Sequence, residues 1–363
     1  MNLHIVPDSK FINTFSANLG ELGLLAENRL IVASKKEVKY VEGNFPHAPL
    51  YSSGFKAICG DTMQYKAVYI HLFSPLMYRW VSRNSFRQLN WMVWGVDLYN
   101  IPGIKTDFYD ELTRREYSSR RKSPDEWLYL LKVWLTNSYF KDKAYSKIDN
   151  LLTWMTTEYA FAKSNIPSLR AGHKFFFYEN QIPYQKLDER SAETKVKSRD
   201  VPLIIVGNSG YPTNNHLDAI DYMEKHNVKA DLCIPVSYGD KRYISFLKRK
   251  LATYTNGTVI FIEKYMGFDE YLNLLSSADA FIMNSIRPQG YGNVLMMLYM
   301  GKPVFMNERN ISTPDLKKNG IVTSDWSEMN SILTYKPRPQ NKEAIANMLS
   351  HSRLINVYRE LFS

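Results

Sequence analysis

The stretch Arg287-Pro-Gln-Gly-Tyr-Gly-Asn-Val-Leu-Met-Met-Leu-Tyr-Met-Gly-Lys-Pro-Val304 constrains the fold of this chain more than any other. Before it, the apolar run Ala280-Phe-Ile-Met283 has the length of a buried strand. Gly290 and Gly292 permit a turn whose dihedrals a Cβ would resist, and they let the backbone approach a ligand closely. An apolar helix is expected from Asn293. Gly301 stops it, and Lys302-Pro-Val-Phe305 opens the next strand. A strand–turn–helix–strand unit of this kind belongs in a parallel α/β sheet. Its helix N-terminus turns unpaired N–H groups and a partial positive charge toward the turn, so it predicts an anion site suited to a diphosphate. With no ligand, the same stretch is an ordinary strand–loop–helix.

The alternation extends along the chain. Leu3–Val6, Leu30–Ala33, Val68–Leu72, Trp91–Trp94 and Lys174–Tyr178 read as strands of a first half. Leu203–Val206, Leu232–Val236, Val259–Ile262, Ala280–Met283 and Val304–Met306 read as strands of a second, with helices near His216–His226, Tyr243–Ala252, Phe268–Ser276 and Asn293–Met300. The polar run 189–200, with Lys195, Lys197 and Arg199, reads as a linker. This predicts domains at 1–188 and 201–363, with the last helix available to pack back on the first. Two doubly wound halves place a ligand in a cleft at the carboxyl ends of their strands. Residues 101–150 look irregular, although Trp127, Leu130, Leu131 and Trp134 repeat at helical spacing.

At 363 residues the chain is comfortable for two cores, and 45% apolar with 23% charged residues fits a globular protein. The longest apolar runs are too short to span a bilayer. Met1–Lys10 reads as a first strand rather than a signal peptide, so the cytoplasm is expected. Two cysteines, Cys59 and Cys233, give neither a disulfide framework nor a cysteine metal site. A net charge of +10 favours an anionic partner. No nucleic-acid module or continuous basic stripe accompanies it, so nucleic acid is not the expected partner. Arg79, Arg83 and Arg87 recur every fourth residue beside Trp80 and Phe86, and Arg114-Arg115 and Arg120-Arg121-Lys122 form a second basic cluster. By default such clusters are solvated faces; they also suit an anionic membrane surface.

Four stretches are candidates for chemistry. Val206-Gly-Asn-Ser-Gly-Tyr-Pro-Thr-Asn-Asn-His216 follows a strand and enters a helix. Gly207 and Gly210 allow a nest of N–H groups, and Asn208, Ser209, Thr213 and Asn214 add polar side chains, an arrangement suited to a pyrophosphate. It is neither a P-loop nor a G-x-G-x-x-G motif, and the plainer reading is a capped turn. Trp94-Gly-Val-Asp-Leu-Tyr99 sets Asp97 at the carboxyl end of a strand, as a general base or a helix N-cap. His71 and Asp8 close two other strands of the same layer and are ambiguous in the same way. Glu263 and Tyr265, after the strand ending at Ile262, are placed to approach a ligand.

Taken together, these blocks resemble glycosyltransferase family 56, the bacterial transferases of 4-acetamido-4,6-dideoxygalactose (Fuc4NAc) in enterobacterial common antigen synthesis. The matching residues are His4-Ile-Val, His71 with Phe73-Ser-Pro75, Trp94-Gly-Val-Asp-Leu-Tyr99, Val206-Gly-Asn-Ser-Gly210 with Asn215-His216, Ile234-Pro with Tyr238, Glu263-Lys with Phe268-Asp-x-Tyr271, Gln289-Gly with Gly292, and Asn307-Glu-Arg-Asn310. They occur in the right order over most of the chain and are weakest across 100–150. The resemblance implies a GT-B fold, two Rossmann-like domains facing across a cleft, with the acceptor on the first and the nucleotide sugar on the second. It implies a dTDP-linked acetamidodideoxyhexose as donor and an undecaprenyl-diphosphate oligosaccharide as acceptor, at the cytoplasmic face of the inner membrane, with no bound metal or other cofactor. The 287–304 block also looks like the donor motif P-E-G-F-G…E…G-x-P-V of large retaining GT-B families. Here Gln289 and Met297 replace the two glutamates. The second glutamate holds ribose hydroxyls in those families, so its loss fits a deoxyribose donor.

The expected mechanism is a single displacement. Asp97, or else His71 or Asp8, takes the acceptor proton. Gly207, Asn208, Ser209, Gly210, Asn215, His216, Tyr238, Glu263, Tyr265, Arg287, Gln289, Gly290, Tyr291, Gly292 and Asn293 form the donor site. The arginines at 79, 83, 87, 114, 115, 120 and 121 meet the membrane or the acceptor. The alternatives are a GT-B transferase using a UDP- or GDP-sugar, or a non-catalytic nucleotide-sugar-binding scaffold of a polysaccharide assembly complex.

Overall fold

Two parallel sheets organise the chain, and each reverses its strand order once. The structure is a computed structural model that describes residues 1–34, 37–101, 104, 106–118, 127–128, 131, 139–179, 182–193 and 200–363. Arg120, Arg121, Lys122, Leu130, Trp134, Lys195, Lys197 and Arg199 lie outside the described residues.

In the first sheet β1 (Asn2–Val6) is flanked on one side by β2 (Asn28–Ala33) and then β3 (His47–Ala48). On its other side follow β4 (Val68–His71), β5 (Leu89–Met92), β6 (Asn150–Thr153) and β7 (Gly172–Phe175). In the second, β8 (Leu203–Val206) is flanked by β9 (Asp231–Pro235) and β10 (Val259–Ile262), and on its other side by β11 (Ala280–Met283) and β12 (Val304–Met306). Both are Rossmann-like. Parallel neighbours require crossover helices that cover both faces, and this explains why the central strands lack a polar face. Ile204, Ile205 and Val206 of β8 and all four residues of β11 are fully buried. The sequence reading found ten of the twelve strands; it missed the two-residue β3, and β6 at the edge of the stretch read as irregular.

Two compact units contain these sheets. The first consists of residues 1–105, 122–180 and 350–363, and the second of 106–121 and 181–349. The change of unit at 180–181 precedes the polar run 189–200 that had been read as the linker. The helix Tyr184–Glu193 instead belongs to the second unit, where Lys186 and Arg190 pair with Asp269 at 2.8 and 3.4 Å. The helix Glu111–Ser118, from the stretch placed in the first domain, also belongs to the second unit. The terminal helix His351–Phe362 belongs to the first.

That terminal helix seals a polar seam in the first core. Tyr358 and Phe362 are fully buried against Phe15, with ring centroids at 5.6 and 5.3 Å. β1 and β2 bring Asn2 and Asn28 to the same place, where ordinary strands would carry apolar residues. The Asn28 amide donates to Leu24 O and Phe362 O, both at 2.8 Å, and its oxygen accepts from Asn2 Nδ2 at 3.0 Å. Asn28→Ala leaves several of these buried groups without partners. It should lower the stability of the first unit by about 3 kcal/mol. Urea unfolding followed by tryptophan fluorescence checks this; a midpoint matching wild type would mean that water replaces the amide.

Candidate functional site

In the second unit the strand order reverses between β8 and β11, and the two loops at that point meet. β8 ends at Val206, and Gly207 turns the chain with φ +71° while its N–H donates to Ile282 O at 2.8 Å. A Cβ at Gly207 would lie 2.6 Å from His216 Nε2 and 3.0 Å from Asn214 Oδ1, so glycine is required twice over. Asn214, fully buried, knits the loop. Its Nδ2 donates to Ser209 O and Tyr211 O at 3.0 and 3.1 Å, and its Oδ1 accepts from Asn208 N at 3.2 Å. Gly210 N donates to Tyr238 O at 2.8 Å, and Asn208 Nδ2 reaches the Tyr238 hydroxyl at 3.2 Å.

From β11 the chain runs to Gly290, which has φ +58° and caps the helix Tyr291–Tyr299. A Cβ on Gly290 would sit 2.5 Å from Met283 Cε and 2.9 Å from Asn208 Cβ, so the two glycine-bearing loops are in contact. Gln289 Oε1 accepts from Arg287 Nε at 3.1 Å and from Thr213 Oγ1 at 3.0 Å, which joins the loops a second time. Gln289 Nε2 is a buried donor with no hydrogen-bond partner among the described residues. Asn293 Nδ2 donates to Tyr271 Oη at 2.7 Å, one turn into the helix. A guanidinium, an unmatched amide donor and a helix N-terminus therefore converge between two close-packed turns. That set favours an anion.

Not every expected donor residue joins this group. His216 is fully buried beneath Gly207, 3.3 Å from the Tyr243 hydroxyl, where burial lowers its pKa to about 3. It shapes the turn from below. Tyr291 is buried too and donates to Ser312 Oγ, which anchors the first helical turn. Asn215 faces inward, with its Nδ2 donating to Asn284 O at 2.9 Å and its Oδ1 accepting from Asp110 N at 3.0 Å. Glu263 pairs with Lys248 at 2.7 Å on the outer surface, and Tyr265 is 85% exposed. Tyr238 stays at the rim, half exposed.

The sequence reading overlooked Asp110. Its carboxylate accepts from Asn284 Nδ2 at 3.2 Å and Asn307 Nδ2 at 2.5 Å, and it pairs with Arg309 at 3.3 Å. Burial and the nearby Asp218 push its pKa up, and Arg309 with the two amides opposes them. Asp110 thus ties the carboxyl ends of β11 and β12 together. The helix after it is capped by Asp218, which accepts from Leu112 N at 2.7 Å and Thr113 N at 3.0 Å. In the sequence Asp110 is one of three acids, with Asp107 and Glu111, in a stretch that reads as irregular.

In the first unit the three candidate bases have unequal freedom. Asp97 is buried, and its carboxylate accepts from Phe73 N (2.8 Å), Trp91 Nε1 (2.7 Å), Trp94 N (2.9 Å) and its own backbone N–H. Four donors fill the lone-pair positions of a carboxylate. Burial raises its pKa and these donors oppose the rise, but no lone pair is left for a substrate. Its geometry suits a keystone that folds Trp94–Tyr99 back onto β5.

His71 is the middle of a buried hydrogen-bonded chain. Trp94 Nε1 can only donate, and it points at Tyr178 Oη, 2.6 Å away. At the other end Asn28 Oδ1 can only accept, so His4 Nε2 donates to it (2.9 Å); with both imidazoles neutral, as their burial favours, His71 Nε2 donates to His4 Nδ1 (3.0 Å) and Tyr178 Oη to His71 Nδ1 (2.7 Å). Both ring nitrogens of each histidine are thereby engaged. Burial lowers the His4 pKa to about 4 and holds His71 well below its ordinary value, with His4 adding to the effect on His71. Asp8 differs. It is partly exposed just beyond the end of β1, where Oδ1 accepts from Tyr40 N (2.9 Å) and Val41 N (3.0 Å), and Oδ2 from Lys39 N alone (2.8 Å). Slight burial would raise its pKa, but the three backbone donors outweigh this and keep it ionised with one lone pair open.

The basic residues divide between the units. Arg79 and Arg83 line a cleft of about 320 Å³ on the first, with Tyr51, Trp80 and Asn84, and Arg87 is exposed. Arg114 pairs with Asp107 at 2.5 Å and Arg115 lies 3.8 Å from Glu116, both on the second. Among the described residues, no helix is long and apolar enough to cross a membrane.

A family model described as 4-alpha-L-fucosyltransferase, glycosyl transferase group 56, matches residues 146–335, just over half of the 363-residue chain. Solved structures of similar fold include a sucrose-phosphate synthase from Thermosynechococcus elongatus, at 12% identity over 99% of this chain and 98% of that one, with a TM-score of 0.56. A UDP-forming α,α-trehalose-phosphate synthase from Burkholderia vietnamiensis superposes with a TM-score of 0.58, at 8% identity over 100% and 98% of the two chains. WaaG, a glycosyltransferase involved in lipopolysaccharide biosynthesis, gives 0.51 at 11% identity over 99% and 98%.

Three buried histidines make stability depend on pH in a fixed direction. His4, His71 and His216 have folded pKa values below the unfolded value of about 6.5, so they are neutral in the fold. Their stabilisation is complete above that value and is lost as pH falls below it, because the unfolded chain then binds protons that the fold refuses. Between pH 7 and pH 5 each should cost about 2 kcal/mol, so the first unit, holding two, should weaken about twice as much as the second. Denaturant midpoints across that range test this, and a flat profile would show that the histidines are protonated in place.

Proposed function

The chain belongs to the group 56 glycosyltransferases, and from that premise we propose that it moves a 4-acetamido-4,6-dideoxyhexose from a dTDP-sugar to an undecaprenyl-diphosphate-linked oligosaccharide at the cytoplasmic face of the inner membrane. It is a glycosyltransferase with a GT-B fold; the donor, the acceptor and the membrane are the proposal. The observation that carries it is the contact between Gly290 and Asn208, which sets Arg287, Gln289 Nε2 and the N-terminus of the helix Tyr291–Tyr299 around one anion site. In the transfer, an acceptor hydroxyl attacks the anomeric carbon, and the bond from that carbon to the diphosphate breaks. Negative charge gathers on the departing dTDP, where these donors stabilise it without reorganising. The thymidine reading draws on Met297. It is fully buried and apolar, so a ribose 2′-hydroxyl would find no partner at that position of the helix.

The proton lost by the acceptor is assigned to Asp8. Of the three candidates it alone combines partial exposure with an open lone pair on an ionised group. Asp97 and His71, with every lone pair or ring nitrogen engaged, hold the Trp94 turn and the end of β4 in place. Arg79, Arg83 and Arg87 are the first unit's contact with the lipid-linked acceptor, and the Arg79–Arg83 cleft suits a phosphate between guanidinium and ring.

Thermal unfolding with dTDP, UDP, GDP or ADP at equal concentration tests the donor. A ligand at a hundred times its Kd stabilises the native state by about 2.7 kcal/mol, and dTDP should do so most. A larger shift with UDP or GDP would overturn the donor, and no shift with any would favour a non-catalytic scaffold. Asp8→Asn should lower kcat by roughly two to four orders of magnitude while dTDP binding stays intact. Asp97→Asn, which sets an amide against N–H donors, should act mainly on stability. If the Asp8 variant turns over at the wild-type rate, the base lies elsewhere.

A further inference from the structure

The second unit carries another basic cleft, along the helix that follows the Tyr238 turn. The helix Lys241–Leu251 buries Tyr243, Leu247 and Leu251 at intervals of four, so its cations lie on the outer side. Beside it lies the helix Glu111–Ser118, whose Tyr117 hydroxyl donates to Asp240 Oδ2 at 2.9 Å and whose Tyr117 ring meets Tyr243 edge-on at 5.9 Å. Between them is a cleft of about 470 Å³, lined by Lys241, Arg242 and Arg249, by Tyr117 and Phe246 as its apolar wall, and by Glu116.

The nearby acids are already engaged. Glu116 is shared by Lys250 at 3.5 Å and Arg115 at 3.8 Å, and Lys248 has Glu263 at 2.7 Å. Asp240 caps the helix by accepting from Arg242 N and Tyr243 N. Lys241, Arg242 and Arg249 have no ion-pair partner among the described residues, and all three are exposed. Like charges gathered at one cleft repel each other until an anion arrives. The aromatic wall adds what a bare phosphate does not need, namely a surface for an apolar stem.

We propose that this cleft binds the phosphodiester headgroup of an anionic phospholipid, giving the second unit its own contact with the membrane. The choice of a lipid rests on the lipid-linked acceptor proposed above. It is supported by the exposure of Lys241, Arg242 and Arg249 on the outer side of one helix, which makes a positive face rather than an enclosed pocket for a soluble ion.

The test uses the full chain and the triple variant K241Q/R242Q/R249Q, which changes only exposed side chains. Flotation with phosphatidylglycerol–phosphatidylcholine vesicles should show wild type bound and the variant's partition coefficient lowered about a hundredfold, with little binding of either to pure phosphatidylcholine. dTDP-induced stabilisation and turnover on a short-chain soluble acceptor should match wild type in the variant. Equal partition of variant and wild type onto the charged vesicles would overturn the site. So would protection of the wild type by glycerol phosphate without vesicle binding, which would mark a soluble ligand. Vesicle binding lost in the variant while no nucleotide stabilises either protein would spare this site and sink the donor reading instead.

Discussion

The hydrogen bond from Gly207 N to Ile282 O is the constraint on which the second unit's chemistry depends. It holds β8 against β11 just where the strand order reverses, so the crossover helices leave in opposite directions and a crevice is left at the carboxyl ends. A chain leaving β8 there must turn at once, with φ +71°, over a buried imidazole. The chain leaving β11 must turn with φ +58° against Asn208. Neither turn accepts a Cβ. The loops are consequently too close for side chains to fill the gap, and backbone N–H groups and a few long donors are left facing it. An anion is what such a gap can hold.

The first unit solves a different problem. Its sheet carries Asn2, His4, Asn28, His71 and Asn90 at positions that the pattern of a parallel strand reserves for apolar residues, and all five are buried. An interior imidazole is costly if charged, and least costly when neutral with its nitrogens engaged. The chain from Trp94 through Tyr178, His71 and His4 to Asn28 meets that requirement with one proton orientation. Asp97 obeys the same logic with the opposite sign of charge, as a carboxylate matched by four donors. His71 ends β4 and Asp97 lies in the short helix Val96–Tyr99 just beyond β5, which is why they look like catalysts in the sequence. Their full coordination instead suits them to hold the Trp94 turn and the end of β4 still.

The fold was legible because parallel sheets write themselves as apolar runs separated by helices, and β8, β9, β11 and β12 were located to within a residue or two. The glycine turns were legible for the same local reason. Chain order failed to show which unit a segment joins. The helix Tyr184–Glu193 has the charge of a linker because only one side is covered, and its contacts with Asp269 lie more than seventy residues away in sequence. Among the site residues, type and spacing marked polar groups near strand ends but could not say which way each faces. Asn208, Arg287 and Gln289 face the crevice, whereas His216, Asn215 and Tyr291 face the core.

Asp110 shows the limit most plainly, and its surroundings explain why the segment must be where it is. A half-buried carboxylate needs donors, and the ends of β11 and β12 supply two asparagine amides in addition to Arg309. Those amides are themselves linked, since Asn307 Nδ2 also donates to Asn284 Oδ1 at 2.8 Å. Removing the segment would take one acceptor from each of Asn284 and Asn307 and the Asp110 N–H from the Asn215 oxygen, all at the base of the loop that carries Arg287. The exposed ion pair with Arg309 is worth little by itself; the buried amides make the attachment specific. A stretch that reads as an irregular excursion of the first domain is therefore a structural part of the second, and the rigidity of the anion site rests partly on residues encoded more than a hundred positions before it.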